Sequence, residues 1–197
     1  MRARACVEIA AALAALLLSN AGLAQEPAWT LDQLMRALAS REHAHAEFNE
    51  ARYLRLLSRP VTLRGTLSYR APDWLEKRTV SPNEEVLRVE GDRLSVDLPA
   101  RRIHRQLQLQ ELPAVWGFVE SIRATLRGDR AALQRVYRIE LEGEVRRWVL
   151  TLHPVDAKMA EVITYVRLTG AGGRLSGVEI VEARGDRSVM KLREPQS

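Results

Sequence analysis

The chain has four histidines, His43, His45, His104 and His153, and these are the side chains best suited to bind a metal or move a proton near neutral pH. His43 and His45 are two residues apart, so an extended backbone presents both on one side. No third histidine or carboxylate is placed beside them to complete a metal site, and they read as a solvated segment. His104 and His153 stand alone in strand-like surroundings. The carboxylates Glu84, Glu85, Glu140, Glu142 and Glu144 fall at strand ends and turns among arginines, with no spacing that pairs them for acid–base work. In Gly173-Arg174-Leu175-Ser176-Gly177 the serine comes one place late for a nucleophile elbow. Gly170-Ala171-Gly172-Gly173 lacks the third glycine and the following helix of a dinucleotide fingerprint, and reads as a turn. These residues give no catalytic group, no metal site and no cofactor, so the chain reads as a non-enzyme.

The only cysteine, Cys6, sits in a leader. Arg2 and Arg4 precede an apolar run from Ile9 to Leu18, and Gly22-Leu23-Ala24 offers small residues where a signal peptidase cuts. The run is shorter than the roughly 20 apolar residues that span a bilayer. Residues 1–24 are therefore expected to be a cleaved signal peptide, and 25–197 one exported domain. Cleavage removes Arg2, Arg4 and Glu8, taking the formal charge from +5 to +4. A thiol-free domain has no disulfide or cysteine metal site. Its mild basicity suits anionic lipid head groups better than nucleic acid, which needs clustered basic readers.

The elements follow from periodicity. Thr30-Leu31-Asp32-Gln33 is a capping box, and Leu31, Leu34, Met35 and Leu38 continue at helical spacing, predicting a helix over 30–40. A looser strand from Phe48 to Leu56 follows. Val61, Leu63, Gly65, Leu67 and Tyr69 then alternate with polar residues as in a half-buried strand. Further strands are expected at 74–80, 86–90, 94–98 and 103–109. Leu112, Val115, Trp116, Val119, Ile122 and Leu126 recur along one side of a helix ending at Gly128, with Phe118 widening that side and Glu120, Arg123 and Arg127 opposite. A short helix at 129–134 precedes strands at 137–141, 145–152, 162–168, 175–183 and 188–192. About ten strands joined by short turns make an antiparallel meander.

Such a sheet, with one apolar face, needs a cover. If the helices close it fully the result is an ordinary core; if loosely, an apolar cavity suited to acyl chains.

Residues 48–98 carry a recognisable pattern: Phe48-Asn49-Glu50-Ala51-Arg52, Arg59-Pro60-Val61, Gly65-Thr66-Leu67-Ser68-Tyr69, Ala71-Pro72, Ser81-Pro82 and Val89-Glu90-Gly91-Asp92-Arg93-Leu94. With Leu175-Ser176-Gly177-Val178-Glu179-Ile180 further on, the set resembles the LolA family of periplasmic lipoprotein carriers across nearly the whole exported chain. The resemblance implies a β-rich α+β fold: a single antiparallel meander curled into an incomplete half-barrel, lidded by the N-terminal and mid-chain helices. It implies a carrier, monomeric and without catalysis, that takes acylated lipoprotein or another lipid from an inner-membrane donor to an outer-membrane acceptor, with transient contact at a membrane surface. The expected cavity lining is Phe48, Leu63, Leu67, Tyr69, Leu94 and Val96 from the sheet, and Trp116, Phe118 and Val119 from the lid. Arg123 and Arg127 are the expected membrane contacts. Family carriers place an arginine before the proline matching Pro72, where it latches the lid; here that residue is Ala71, which marks a divergent branch. The alternatives are a lipid-sensing domain that binds a membrane protein and an enzyme acting on acyl lipids.

Overall fold

A computed structural model describes residues 29–195; the expected signal peptide lies outside them. Helix α1 (Leu31–Ala39) starts where the capping box places it. The Thr30 hydroxyl accepts from the Gln33 amide at 3.3 Å, and the Gln33 side-chain oxygen accepts from the Thr30 amide at 2.8 Å. Its buried face is Leu34, Met35 and Leu38.

The chain then alternates through β1 (His43–Tyr53), β2 (Val61–Arg70), β3 (Trp74–Ser81), β4 (Glu85–Glu90), β5 (Arg93–Leu98) and β6 (Ile103–Gln108). Helix α2 (Pro113–Arg127) has proline in its first turn and stops at Gly128, whose φ of 67° suits glycine. Asp129 caps the short α3 (Arg130–Val136) by accepting from the Ala132 amide. The strands β7 (Tyr137–Glu144), β8 (Arg147–Pro154), β9 (Ile163–Ala171), β10 (Arg174–Glu182) and β11 (Arg187–Arg193) complete the chain, with the one-turn α4 (Ala157–Ala160) between β8 and β9.

All eleven strands form one open antiparallel sheet in the order β6-β5-β4-β3-β2-β1-β11-β10-β9-β8-β7. The first and last strands pair at its centre, and α2 and α3 join its two edges. If the sheet were flat, β5 and β7 would lie about 40 Å apart. Yet Arg123 of α2 binds the β4–β5 turn, while Gly117, about 9 Å away along the helix, accepts from the Tyr137 hydroxyl of β7. The sheet therefore curls around α2, and the expected fold class holds.

The helices cover the concave face unevenly. Leu34, Met35 and Leu38 of α1, Ala124 of α2, Leu133 of α3 and Met159 of α4 pack on the β7–β9 limb, where Trp148, Leu150 and Leu152 are fully buried. On the other limb Leu109 and Val119 cover Val89 and Leu94. Between them, Phe48, Leu63 and Met190 form a cluster built from strands alone.

Several boundaries differ from expectation. β1 begins at His43, five residues early, because Ala44 and Ala46 pair with Tyr69 and Leu67; alanine gives little strand signal. His43 and His45 thus lie on a strand, with their side chains exposed. The expected turn at Gly143 falls at 145–146, since Gly143 itself pairs with Trp148.

Candidate functional site

Residues directly opposite in a ladder share a face, so the register carries the concave surface from strand to strand. One row runs Ala44, Tyr69, Leu75, Val89, Leu94, Leu107 across β1 to β6. Its members Tyr69, Val89 and Leu94 are buried, and Leu109 and Val119 cover the latter two. The next row runs Ala46, Leu67, Lys77, Leu87, Val96, Arg105. Here no member is fully buried: Leu67, Lys77, Leu87 and Val96 are half-buried and Arg105 is exposed. Val96 still packs with the helix-covered cluster and Leu67 with the Phe48–Leu63–Met190 cluster, and the half-buried Leu67, Leu87 and Val96 form the floor of an apolar groove between them.

A charged group lies in that groove. Glu50, 2% exposed, accepts from Lys77, from Arg52 at 2.7 Å and from the Ser188 hydroxyl at 2.8 Å. Burial pushes its carboxyl up, but Lys77 and then Arg52 outweigh this and hold it below the ordinary value of 4.5. The Lys77 ammonium also lies 5.0 Å from the centre of the Phe48 ring. Gly65 makes this arrangement fit, because a Cβ there would lie 2.9 Å from the Phe48 ring and collide with the Arg78 carbonyl oxygen. A lysine on the inner face breaks the polar–apolar alternation, so neither Lys77 nor Glu50 stood out in the sequence.

Helix α2 presents faces other than those its periodicity suggests. Its most buried positions include Gly117, Ser121, Ala124 and Thr125, whose small size lets the helix approach its neighbours. Trp116, expected in the lining, is instead 37% exposed. Phe118 packs with the β7–β9 cluster, and Val119 with Leu94. Arg123 requires the larger correction. It was expected at a membrane surface, yet its side chain is 3% exposed. Its guanidinium donates to the carbonyls of Asp73 and Gly91, both at 2.6 Å, and to Glu120 at 2.9 Å. Those carbonyls belong to the β2–β3 and β4–β5 turns, so one side chain ties the helix to the sheet. Arg127 is partly exposed and pairs with the same Glu120 at 3.6 Å.

A depression of about 430 Å³ lies over β9–β11, behind Met190 of the Phe48–Leu63–Met190 cluster and lined by Arg167, Glu179 and Lys191, which alternation places on the opposite face of the sheet. No helix among the described residues is long and apolar enough to cross a membrane.

No curated protein matches the chain. Among solved structures, a LolA superfamily protein from Nitrosomonas europaea is similar at 12% identity, with 85% of this chain and 92% of that chain covered and a TM-score of 0.46. The lipoprotein LppX from Mycobacterium tuberculosis is similar at 14% identity, with 85% and 97% covered and a TM-score of 0.42. The MucA/MucB complex of Pseudomonas aeruginosa gives 13% identity, 85% and 59% coverage and a TM-score of 0.43. The model of the family described as outer membrane lipoprotein carrier protein LolA-like matches residues 23–193. The chain belongs to that LolA-like family.

Proposed function

We propose that this protein is a lipid carrier that holds acyl chains, of a lipoprotein or another lipid, along the row Leu67, Leu87, Val96 beneath the edge of α2. The observation that carries the reading is the contrast between adjacent rows of one sheet face: in the first, Tyr69, Val89 and Leu94 are buried, whereas in the second the apolar Leu67, Leu87 and Val96 all remain half-buried. Each methylene removed from water contributes about 0.8 kcal/mol, so cargo is held without a chemical step. Membership of a family described as lipoprotein carriers supports this cargo class. In this reading residues 1–24 direct export to the periplasm, cargo is taken from an inner-membrane donor, and it is released to an outer-membrane acceptor with a better site. Arg123 sets how readily the helix lifts from the groove.

A fluorescent fatty acid tests the groove. Leu87→Asp and Val96→Asp should each weaken uptake by about tenfold or more, with the fold kept because both sites are half-open. Uptake as strong as that of the unaltered protein in both variants would exclude this row as the acyl site.

A further inference from the structure

Among the described residues, six of the nine exposed large hydrophobic side chains, Tyr53, Leu56, Leu57, Val80, Val155 and Val162, lie at one end of the sheet. In an antiparallel sheet the connections alternate between ends, and this is the end of the β1–β2, β3–β4, β5–β6, β8–β9 and β10–β11 connections. The most prominent is the β1–β2 loop, where Leu56 is 93% exposed on a turn closed by the Leu57 amide donating to the Leu54 carbonyl at 2.8 Å. The loop is held in place: the Arg55 amide donates to Asp186 of the β10–β11 turn at 2.8 Å.

The charge of this end differs from that of the opposite end. Its connecting segments (54–60, 82–84, 99–102, 155–162 and 183–186) hold six basic residues and four acidic ones. Two of the acids, Asp156 and Asp186, accept from backbone amides. The strand turns at the opposite end (71–73, 91–92, 145–146 and 172–173) hold one basic residue and two acidic ones. Among the described residues, Arg55, Arg59, Arg101, Arg102 and Arg184 form no ion pair. Apolar tips beside unpaired arginines match an anionic lipid surface, where the arginines meet phosphates and the tips enter between head groups.

We propose that this end docks on an anionic bilayer, with Leu56 and Leu57 as the inserting tip and Arg55, Arg59 and Arg184 as the head-group contacts. The proposal rests on the carrier reading for its purpose, since the half-buried row of the groove is the one nearer this end. It places membrane contact on sheet loops in place of helix α2.

The test is binding of protein purified after expression of the full chain to phosphatidylglycerol vesicles, compared with phosphatidylcholine vesicles. The unaltered protein should bind the anionic vesicles, less so as salt rises through the range where the Debye length shortens below about 10 Å. The L56N/L57N double variant should bind about tenfold more weakly or worse, and Arg55→Gln with Arg59→Gln and Arg184→Gln should remove most of the salt dependence. All these positions are exposed, so the fold is kept. Unchanged binding in the leucine variant, equal binding to both vesicle types, or no vesicle binding overturns the docking surface. Fatty-acid uptake in vesicle-free solution is scored separately: uptake without vesicle binding sinks this proposal alone, and vesicle binding by the loops without uptake supports it while sinking the acyl groove.

Discussion

Glu50 occupies a position on β1 that alternation assigns to the concave face, between the apolar Phe48 and the end of the strand. A carboxylate so placed is tolerable only with its partners, and Lys77, Arg52 and Ser188 supply them from two further strands and its own. Glu50→Gln leaves the buried Lys77 ammonium without its counter-charge and should cost about 2–4 kcal/mol at neutral pH. The pH dependence follows from the direction of the Glu50 shift. A carboxyl held below its ordinary value of 4.5 contributes stability that is fully present above that value and is lost as pH falls through the lower, folded value. Denaturant unfolding of both proteins should therefore show a gap at pH 7 that narrows steadily below pH 4.5. A gap of the same size throughout the acid range would mean that the loss comes from packing and not from the charge.

Helix α2 is held by one side chain at one end and by small residues along its length. Its pattern of Leu112, Val115, Trp116, Val119, Ile122 and Leu126 gave the element and both of its ends correctly, but not its buried side. Periodicity finds an apolar stripe facing a single surface, whereas this helix touches the turns of one sheet limb and the helices on the other. Its tightest contacts fall on Gly117, Ser121 and Thr125, which carry no hydrophobic signal. Arg123 was misplaced for the same reason: the Asp73 and Gly91 carbonyls reach it across four and two intervening strands, and no local spacing records that. Removing it with Arg123→Ala leaves two carbonyls without their charged donor and should lower stability by about 2–4 kcal/mol. Hydrogen exchange should rise over 113–127 before it rises in β8 and β9, and fatty-acid entry should become faster. Exchange that rises uniformly across the chain would mean that Arg123 stabilises the whole fold and does not act as a clasp on the helix.

At the scale of the molecule, the meander, its strand order of short turns and its flanking helices were legible because alternation and turn residues are local signals. β1 was read short because alanines occupy its inner positions, and α4 was missed because a single turn carries no period. Of the expected lining, Leu67 and Val96 lie in the half-buried row, Leu94 and Val119 meet where the helix covers the sheet, and Tyr69 is buried in the row of Leu94. Leu87, between Lys77 and Val96, emerged only from the register. The arrangement as a whole is a sheet curled around a helix that covers part of its concave face, and in the carrier reading the half-buried part beside it holds acyl chains. Mass spectrometry of protein purified without detergent from its own cells is the decisive measurement. A carrier should retain an acylated lipid or lipoprotein, and Leu87→Asp should retain less of it. Protein that emerges free of any acyl species, and that takes none up when offered, would contradict the carrier reading.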